Sequence, residues 1–317
     1  MAIPDHFTTM FGKSFLTAVQ QTESRFRKCA TVTTGCTGEA KTHNYDLPID
    51  DEETTGERLQ RTRLQEIDTF KRWNRPRKFD LATVDVPFDE ILLAPTIMDG
   101  GRHINSHQAT YSRRLDKTFL QGLFGTNYVG KDGVLPAEIP LANIVANTFV
   151  APGGTAAASK LTVDKILRAK TILRNNESYG DDAMARGVSL WGCMTPDMEE
   201  SLLFLANASN AANGSAANRL FSRDFMPPVL DANGAISSFL GINWVRSTQL
   251  LFDANDATIQ FAGVWTSEAA MLDIWKEKVT KVSERPDLKY ATQFFSEYAF
   301  GCVRKEDKMV VKIATTV

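Results

Sequence analysis

Between Lys41 and Asp80 the chain contains a stretch that cannot bury a core of its own. Its charge is split in two: residues 44–68 hold eight acids (Asp46, Asp50, Asp51, Glu52, Glu53, Glu57, Glu66, Asp68) against three arginines (Arg58, Arg61, Arg63), a net of −5. Residues 70–80 hold Lys71, Arg72, Arg75, Arg77 and Lys78 against Asp80, a net of +4. Leu64, Ile67 and Trp73 are too sparse to pack on one another. The alternation from Glu66 to Lys71 follows the two-residue period of a strand. A long two-stranded ribbon is therefore predicted here. An isolated ribbon is marginally stable in water, so this one needs a partner surface.

The remaining chain can bury a core. It has 317 residues, 43% hydrophobic and 9% aromatic, which suits one large domain or two modest ones and argues against disorder. With 36 Lys+Arg against 38 Asp+Glu, a net charge of −2 and a mean hydropathy of −0.22, a globally basic nucleic-acid binder is excluded. No apolar run approaches the roughly 18–20 residues of a membrane span. The first residues lack a positive segment followed by an apolar core, so no secretory signal is visible and a cytoplasm-like compartment is expected. Cys29, Cys36, Cys193 and Cys302 are too few and too scattered for a disulfide framework, and read as small buried or half-buried thiols.

Periodicity places the elements. Phe11, Phe15, Val19, Thr22 and Phe26 predict an amphipathic helix over 10–28. A long helix over 102–124 carries Ile104, Tyr111, Leu115, Phe119 and Leu123 on one face, with Gly125 beyond its end. Residues 126–161 read as loop or hairpin, with a turn at Gly130–Gly133. Thr162 caps a helix with Val163, Ile166, Ala169 and Leu173 inward, and Thr195-Pro196 starts another. The low-complexity stretch 207–218 is a loop. From Ile236 onward strands dominate, among them 239–245, 258–264, 291–295 and 309–313. The fold class predicted is mixed α+β.

Catalytic signatures are weak. Gly125–Asp132 resembles a phosphate-binding loop but has Asp132 where the hydroxyl belongs, a helix before it and Gly133 after it, and so reads as a plain turn. His103 and His107, at i and i+4, share a helix face but lack a third metal ligand, and read as polar helix surface. No nucleophile elbow is present. The cluster Lys71–Lys78, with Trp73 interleaved, suits either nucleic-acid phosphates or the acids at Asp50–Glu53 of a neighbouring copy. The second is favoured because the opposite charge lies so close in the chain.

Several segments taken in order resemble the major capsid proteins of tailed bacteriophages, in a family of short, roughly domain-pair-sized subunits. They are Phe15–Arg27, Phe70–Asp80, Leu115–Thr126, Leu161–Lys170, and a closing block of Ser283–Tyr290, Phe300–Arg304 and Lys308–Ile313. The stretch Glu268–Trp275 departs from the family pattern in being poorer in glycine.

The resemblance implies the tailed-phage major capsid protein fold. Its parts would be an N-terminal arm (1–40), an extended loop (41–82), a peripheral domain (83–185) with a spine helix at 102–124, an axial domain (186–289), and C-terminal strands (290–317) returning to the peripheral domain. It implies a non-enzymatic shell subunit without cofactor or metal that self-assembles into pentamers and hexamers. The icosahedral head would enclose double-stranded DNA, be assembled in the host cytoplasm and end in the virion.

Inter-subunit contacts are expected from Asp50, Asp51, Glu52, Glu53, Arg58, Arg61, Arg72, Trp73, Arg75, Arg77 and Lys78. Other expected partners are the portal, a decoration protein, and a separate scaffolding protein, because the arm is far shorter than a fused scaffold of about 100 residues. No membrane partner is expected. The rival readings are a cellular encapsulin-like nanocompartment shell and a cytosolic nucleotide-binding enzyme.

Overall fold

A computed structural model of the chain describes residues 20–49, 51, 64–85, 100–208 and 228–317. The described strands in chain order are β1 (Thr31–Thr34), β2 (Lys41–Asp46), β3 (Thr69–Asn74), β4 (Arg77–Asp85), β5 (Asn127–Val129), β6 (Leu135–Ala137) and β7 (Ile144–Val145). They continue with β8 (Leu190–Met194), β9 (Val229–Leu230), β10 (Ile236–Phe239), β11 (Ile242–Arg246) and β12 (Ile259–Thr266). Three more complete them: β13 (Ala270–Arg285), β14 (Ala291–Arg304) and β15 (Val310–Thr316). The helices are α1 (Gly100–Phe124), α2 (Val163–Asn175), α3 (Asp181–Ala185) and α4 (Pro196–Ala208).

These strands make three sheets, ordered β1-β13-β14-β4, β7-β15-β12-β8-β11-β10-β9 and β2-β3-β5-β6. The first is built on one long hairpin, in which β13 and β14 pair antiparallel from Ala270↔Arg304 to Arg285↔Ala291. Helix α1 lies across it. Leu115, Phe119, Leu120 and Leu123 recur at helical spacing and are fully buried, so the apolar stripe sets the face that α1 presents to the sheets. Gly122 permits the approach: a Cβ there would stand 2.2 Å from the Cys302 carbonyl oxygen. Ile104, expected inward, is 42% exposed.

The first and second sheets share one core. The chain passes from β12 in the large sheet to β13 in the hairpin sheet within residues 267–269, and Trp265 sits at that junction, fully buried. Phe26 stacks on Phe119 at 5.2 Å, and both rings lean on Trp265. Burying a side chain of that size is worth about 2–3 kcal/mol.

The helix predicted over 10–28 does not extend through its last part. Residues 20–26 are irregular and only Arg27–Cys29 form a 3-10 turn, while residues 10–19 lie outside the described residues. The cause is the buried Asp116 on α1. Its carboxylate accepts from Gln21 Nε2, Ser24 Oγ (2.6 Å), Arg25 N (3.0 Å) and Phe26 N (3.3 Å), so those donors serve the spine helix instead of a helix of their own.

The caps are observed. Thr162 Oγ1 accepts from Lys165 N, and Thr195 Oγ1 from Met198 N at 3.3 Å. Val163, Ile166, Ala169 and Leu173 are buried. Residues 207 and 208 belong to α4, and residues 209–218 of the expected loop lie outside the described residues, as do 86–99. The strand expected over 239–245 is broken by a tight turn at Leu240-Gly241, with φ of 54° and 72°, which turns β10 back on β11. The expected boundaries at 185 and 289 do not follow sheet membership. β13 pairs along its length with β14, across 289, and Lys165 of α2 donates to Ala314 O of β15 in the large sheet at 3.2 Å. Backbone pairing, which needs register and not sequence proximity, decides this.

Candidate assembly interface

The ribbon is antiparallel, with β2 and β3 in register from Lys41↔Asn74 to Asp46↔Thr69. Along it Tyr45 stacks on Phe70 at 5.8 Å, and Thr69 Oγ1 donates to Asp46. At its base β3 continues into the short β5–β6 hairpin through Arg72↔Val129 and Trp73↔Tyr128.

Two charge centres, each with a buried ionised group, hold that base. The first is Asp273 on β13, wholly buried, which accepts from Lys41 Nζ (2.6 Å), Asn74 Nδ2 (2.7 Å) and His43 Nε2 (2.6 Å). Burial pushes this carboxyl's pKa up, but the hydrogen bonds from His43, Lys41 and Asn74 outweigh burial and hold it below the usual carboxylate range. Asp307 is the second centre. It bridges Arg72 Nη2 at 2.6 Å and Arg304 Nε, while Arg304 also donates to Gly125 O and, at 2.6 Å, to Ala137 O. Neutral carbonyls and one carboxylate thus satisfy a fully buried guanidinium whose pKa burial pushes down.

The residues expected at a contact divide accordingly. Arg72 is 2% exposed and paired inside its own chain. Trp73 Nε1 donates to Gly130 O at 2.8 Å, and its ring fills the space over Gly133, whose φ of 65° already favours glycine. Arg75 reaches Gly133 O and lies over the Tyr128 ring, and Arg77 donates to Gln121 Oε1, yet both stay exposed, as does Lys78. Asp51 is exposed, while Asp50, Glu52, Glu53, Arg58 and Arg61 lie outside the described residues. Beyond the anchored base the ribbon presents Leu47, Ile49, Ile67, Phe70 and Leu64 to solvent, the last 95% exposed.

Sequence reasoning missed Asp273, Asp307 and Arg304. The visible signal was a charge inside an apolar strand, as in Met271-Leu-Asp-Ile274, where a buried acid demands partners.

The enzymatic motifs dissolve into structure. Lys131 is exposed in the β5–β6 turn, and a strand follows instead of a helix. His107, expected on a polar surface, is buried, and bonds Ser296 Oγ (2.7 Å) and Thr83 Oγ1 (3.1 Å) between α1 and the sheet. His103 stacks on Phe294 and pairs with Asp85 at 2.9 Å. Among the described residues no group of three or more His, Cys, Asp or Glu is set to hold a metal ion, and no helix is long and apolar enough to cross a membrane. The four cysteines are free, three of them buried, and burial pushes the Cys29 thiol up to about 12.

Comparison with known proteins agrees with this architecture. A family described as phage capsid protein matches residues 3–317. No curated protein matches the sequence. Among solved structures, the capsid of Ralstonia phage GP4 is similar at 14% identity and a TM-score of 0.66, covering 100% of this chain and 97% of that one. The Cyanophage Pam1 capsid asymmetric unit gives 9% identity, a TM-score of 0.65 and 99% and 98% coverage. A structure from Mycobacterium phage Che8 gives 13% identity, a TM-score of 0.64 and 98% coverage of both chains. At these identities the likeness is one of fold.

Proposed function

The chain belongs to the phage capsid protein family, and from that premise we propose that it closes head-to-tail into rings of five and six that tile an icosahedral shell around double-stranded DNA. It is a structural protein of the virion capsid. The observation that carries the ring reading is the ribbon: its base is fixed by two charge centres, while its outer half exposes an apolar stripe that its own chain leaves bare. An exposed apolar stripe of this kind marks an interaction surface. A neighbouring copy supplies the cover, and a heterologous contact of this kind closes into a ring when its rotation divides the circle.

Within this reading the ribbon's acids at Asp50–Glu53 meet the exposed Arg75, Arg77 and Lys78 of the next copy, while Arg58 and Arg61 meet acidic groups of a neighbouring copy. Arg72 and Trp73 serve instead as the anchor that aims the ribbon. The large sheet with α2 and α4 forms the axial unit, and the β13–β14 sheet with α1 forms the peripheral one. A separate scaffolding protein, a portal and a decoration protein complete the head, assembled in the host cytoplasm. Hundreds of weak contacts suffice, because each subunit makes several at once.

Electron microscopy of the expressed chain tests the proposal. The unaltered protein is expected to form closed particles, and the double variant Leu64→Glu, Ile67→Glu to stay dispersed while keeping its circular dichroism. Particles of unchanged size and yield from the double variant would sink the ribbon's role.

A further inference from the structure

One face of the subunit is strongly basic although the chain as a whole carries −2. A cleft of about 520 Å³ opens between α1 and residues 248–252 and is lined by Arg113, Arg114 and Lys117. A second, of about 760 Å³, lies between residues 20–28 and β11 and is lined by Arg25, Lys28 and Arg246. Arg113 Nη1 donates to Gln20 Oε1 at 2.8 Å across the divide, so the two clefts adjoin. Among the described residues Glu23 is the only acid lining either, against these six cations. Only Arg246 has a carboxylate within salt-bridge reach, Glu199 at 3.9 Å; the other five have none among the described residues.

Other polar contacts orient these cations without neutralising them. Arg25 Nη1 donates to Arg246 O at 2.8 Å, and the Arg114 guanidinium lies over the Phe79 ring at 4.9 Å. Lys28 and Lys117 are exposed and carry no hydrogen bond or ion pair among the described residues. The core of a protein-protein interface is depleted of charged residues. Large exposed apolar side chains lie on the ribbon and along the β13–β14 hairpin at Val279, Val282, Leu288 and Tyr290, and Phe252 lines the first cleft beside its three cations. Six cations against one acid, with the exposed apolar surface confined to the 250–252 wall, suit a polyanion whose charges repeat.

We propose that the adjoining clefts bind the phosphate backbone of packaged nucleic acid and mark the subunit face turned to the interior of the shell. The proposal rests on the shell reading above and assigns the face that reading leaves open. Contact is through phosphates alone, hence independent of base sequence.

The test is binding of a fluorescein-labelled duplex of about 30 base pairs to the full chain across a salt series. The triple variant Lys28→Gln, Arg114→Gln, Lys117→Gln is expected to weaken binding at least about tenfold and to flatten the salt slope by about 2–3. A control triple of exposed lysines outside the clefts and the ribbon, Lys131→Gln, Lys160→Gln, Lys308→Gln, is expected to stay within about twofold. If the first triple does not fold, the double Lys28→Gln, Lys117→Gln serves, since neither side chain has a bond to lose. In DNA-filled particles, formaldehyde adducts are expected on Lys28 and Lys117. Equal losses in both triples, no loss in either, preference for polyglutamate over duplex, or filled particles without those adducts would each overturn the assignment. Failure of the shell reading shows separately, as absence of particles from the unaltered chain.

Discussion

At the scale of single residues, three carboxylates, two buried and one half-buried, join segments far apart in the chain. Asp116 holds the arm, while Asp273 and Asp307 hold the ribbon. Asp116 and Asp273 are buried charges that only their partners make tolerable, and Asp307 pairs with two buried guanidinium groups, so removing any of these charges strands its partners. Asp273→Asn is expected to cost about 3 kcal/mol and to speed hydrogen exchange at Lys41–Asp46 and Thr69–Asn74 ahead of the core, as read by urea titration and exchange mass spectrometry. His107 supplies a pH signature. Burial, then the charges of His103 and Lys278, push its pKa below the ordinary histidine value of 6.5. The unfolded chain therefore takes up a proton below about pH 6.5 that the folded chain refuses, and stability falls as the pH drops through that window. Urea midpoints at pH 7.5 and 5.5 should differ in that sense, and by less in His107→Gln.

At the scale of elements, α1 and the β13–β14 hairpin form the rigid frame against which the ribbon is aimed. Their distance is set by Gly122, where any added carbon meets the Cys302 carbonyl. Propensity alone predicts that Gly122→Ala stabilises the helix by about 1 kcal/mol. Overpacking against a sheet backbone opposes this with about 1–3 kcal/mol, so a net loss is expected, visible as an earlier urea midpoint. An unchanged or later midpoint would mean that the helix can lift from the sheet without cost. The ribbon has the reverse character: anchored at one end, exposed along the rest, and unable to use its apolar stripe within one chain.

At the scale of the whole molecule, near-neutral net charge conceals a division of surfaces. The ribbon and the hairpin expose apolar side chains, while the α1 clefts gather six cations, the first beside the apolar wall of residues 250–252. On the proposed reading, a subunit that touches copies of itself on its edges and a polyanion on one face needs this separation. Charge repulsion would otherwise oppose the lateral contacts. The Leu64 and Ile67 substitutions probe this scale, because they leave the monomer's core untouched and remove only what a second copy would cover. Loss of particles with an unchanged urea midpoint is the expected pairing.

The sequence by itself determined the elements whose information is local. Helical spacing marked α1 and α2, Thr162 and Thr195-Pro196 marked helix starts, and the divided charge with sparse apolar residues marked a ribbon in need of a partner. Ordered motifs identified the capsid fold. Tertiary structure alone decided where the charges go. Arg72 turned inward to Asp307, His107 became core, and residues 21–26 gave their donors to Asp116. Lys41 and Asp273 stand 232 residues apart in the chain, and nothing in either neighbourhood names the other. The physical reason is that periodicity reports which face of an element is apolar, whereas a buried charge is stable only in the field of its partners, and strand register brings those partners together only when the sheets form.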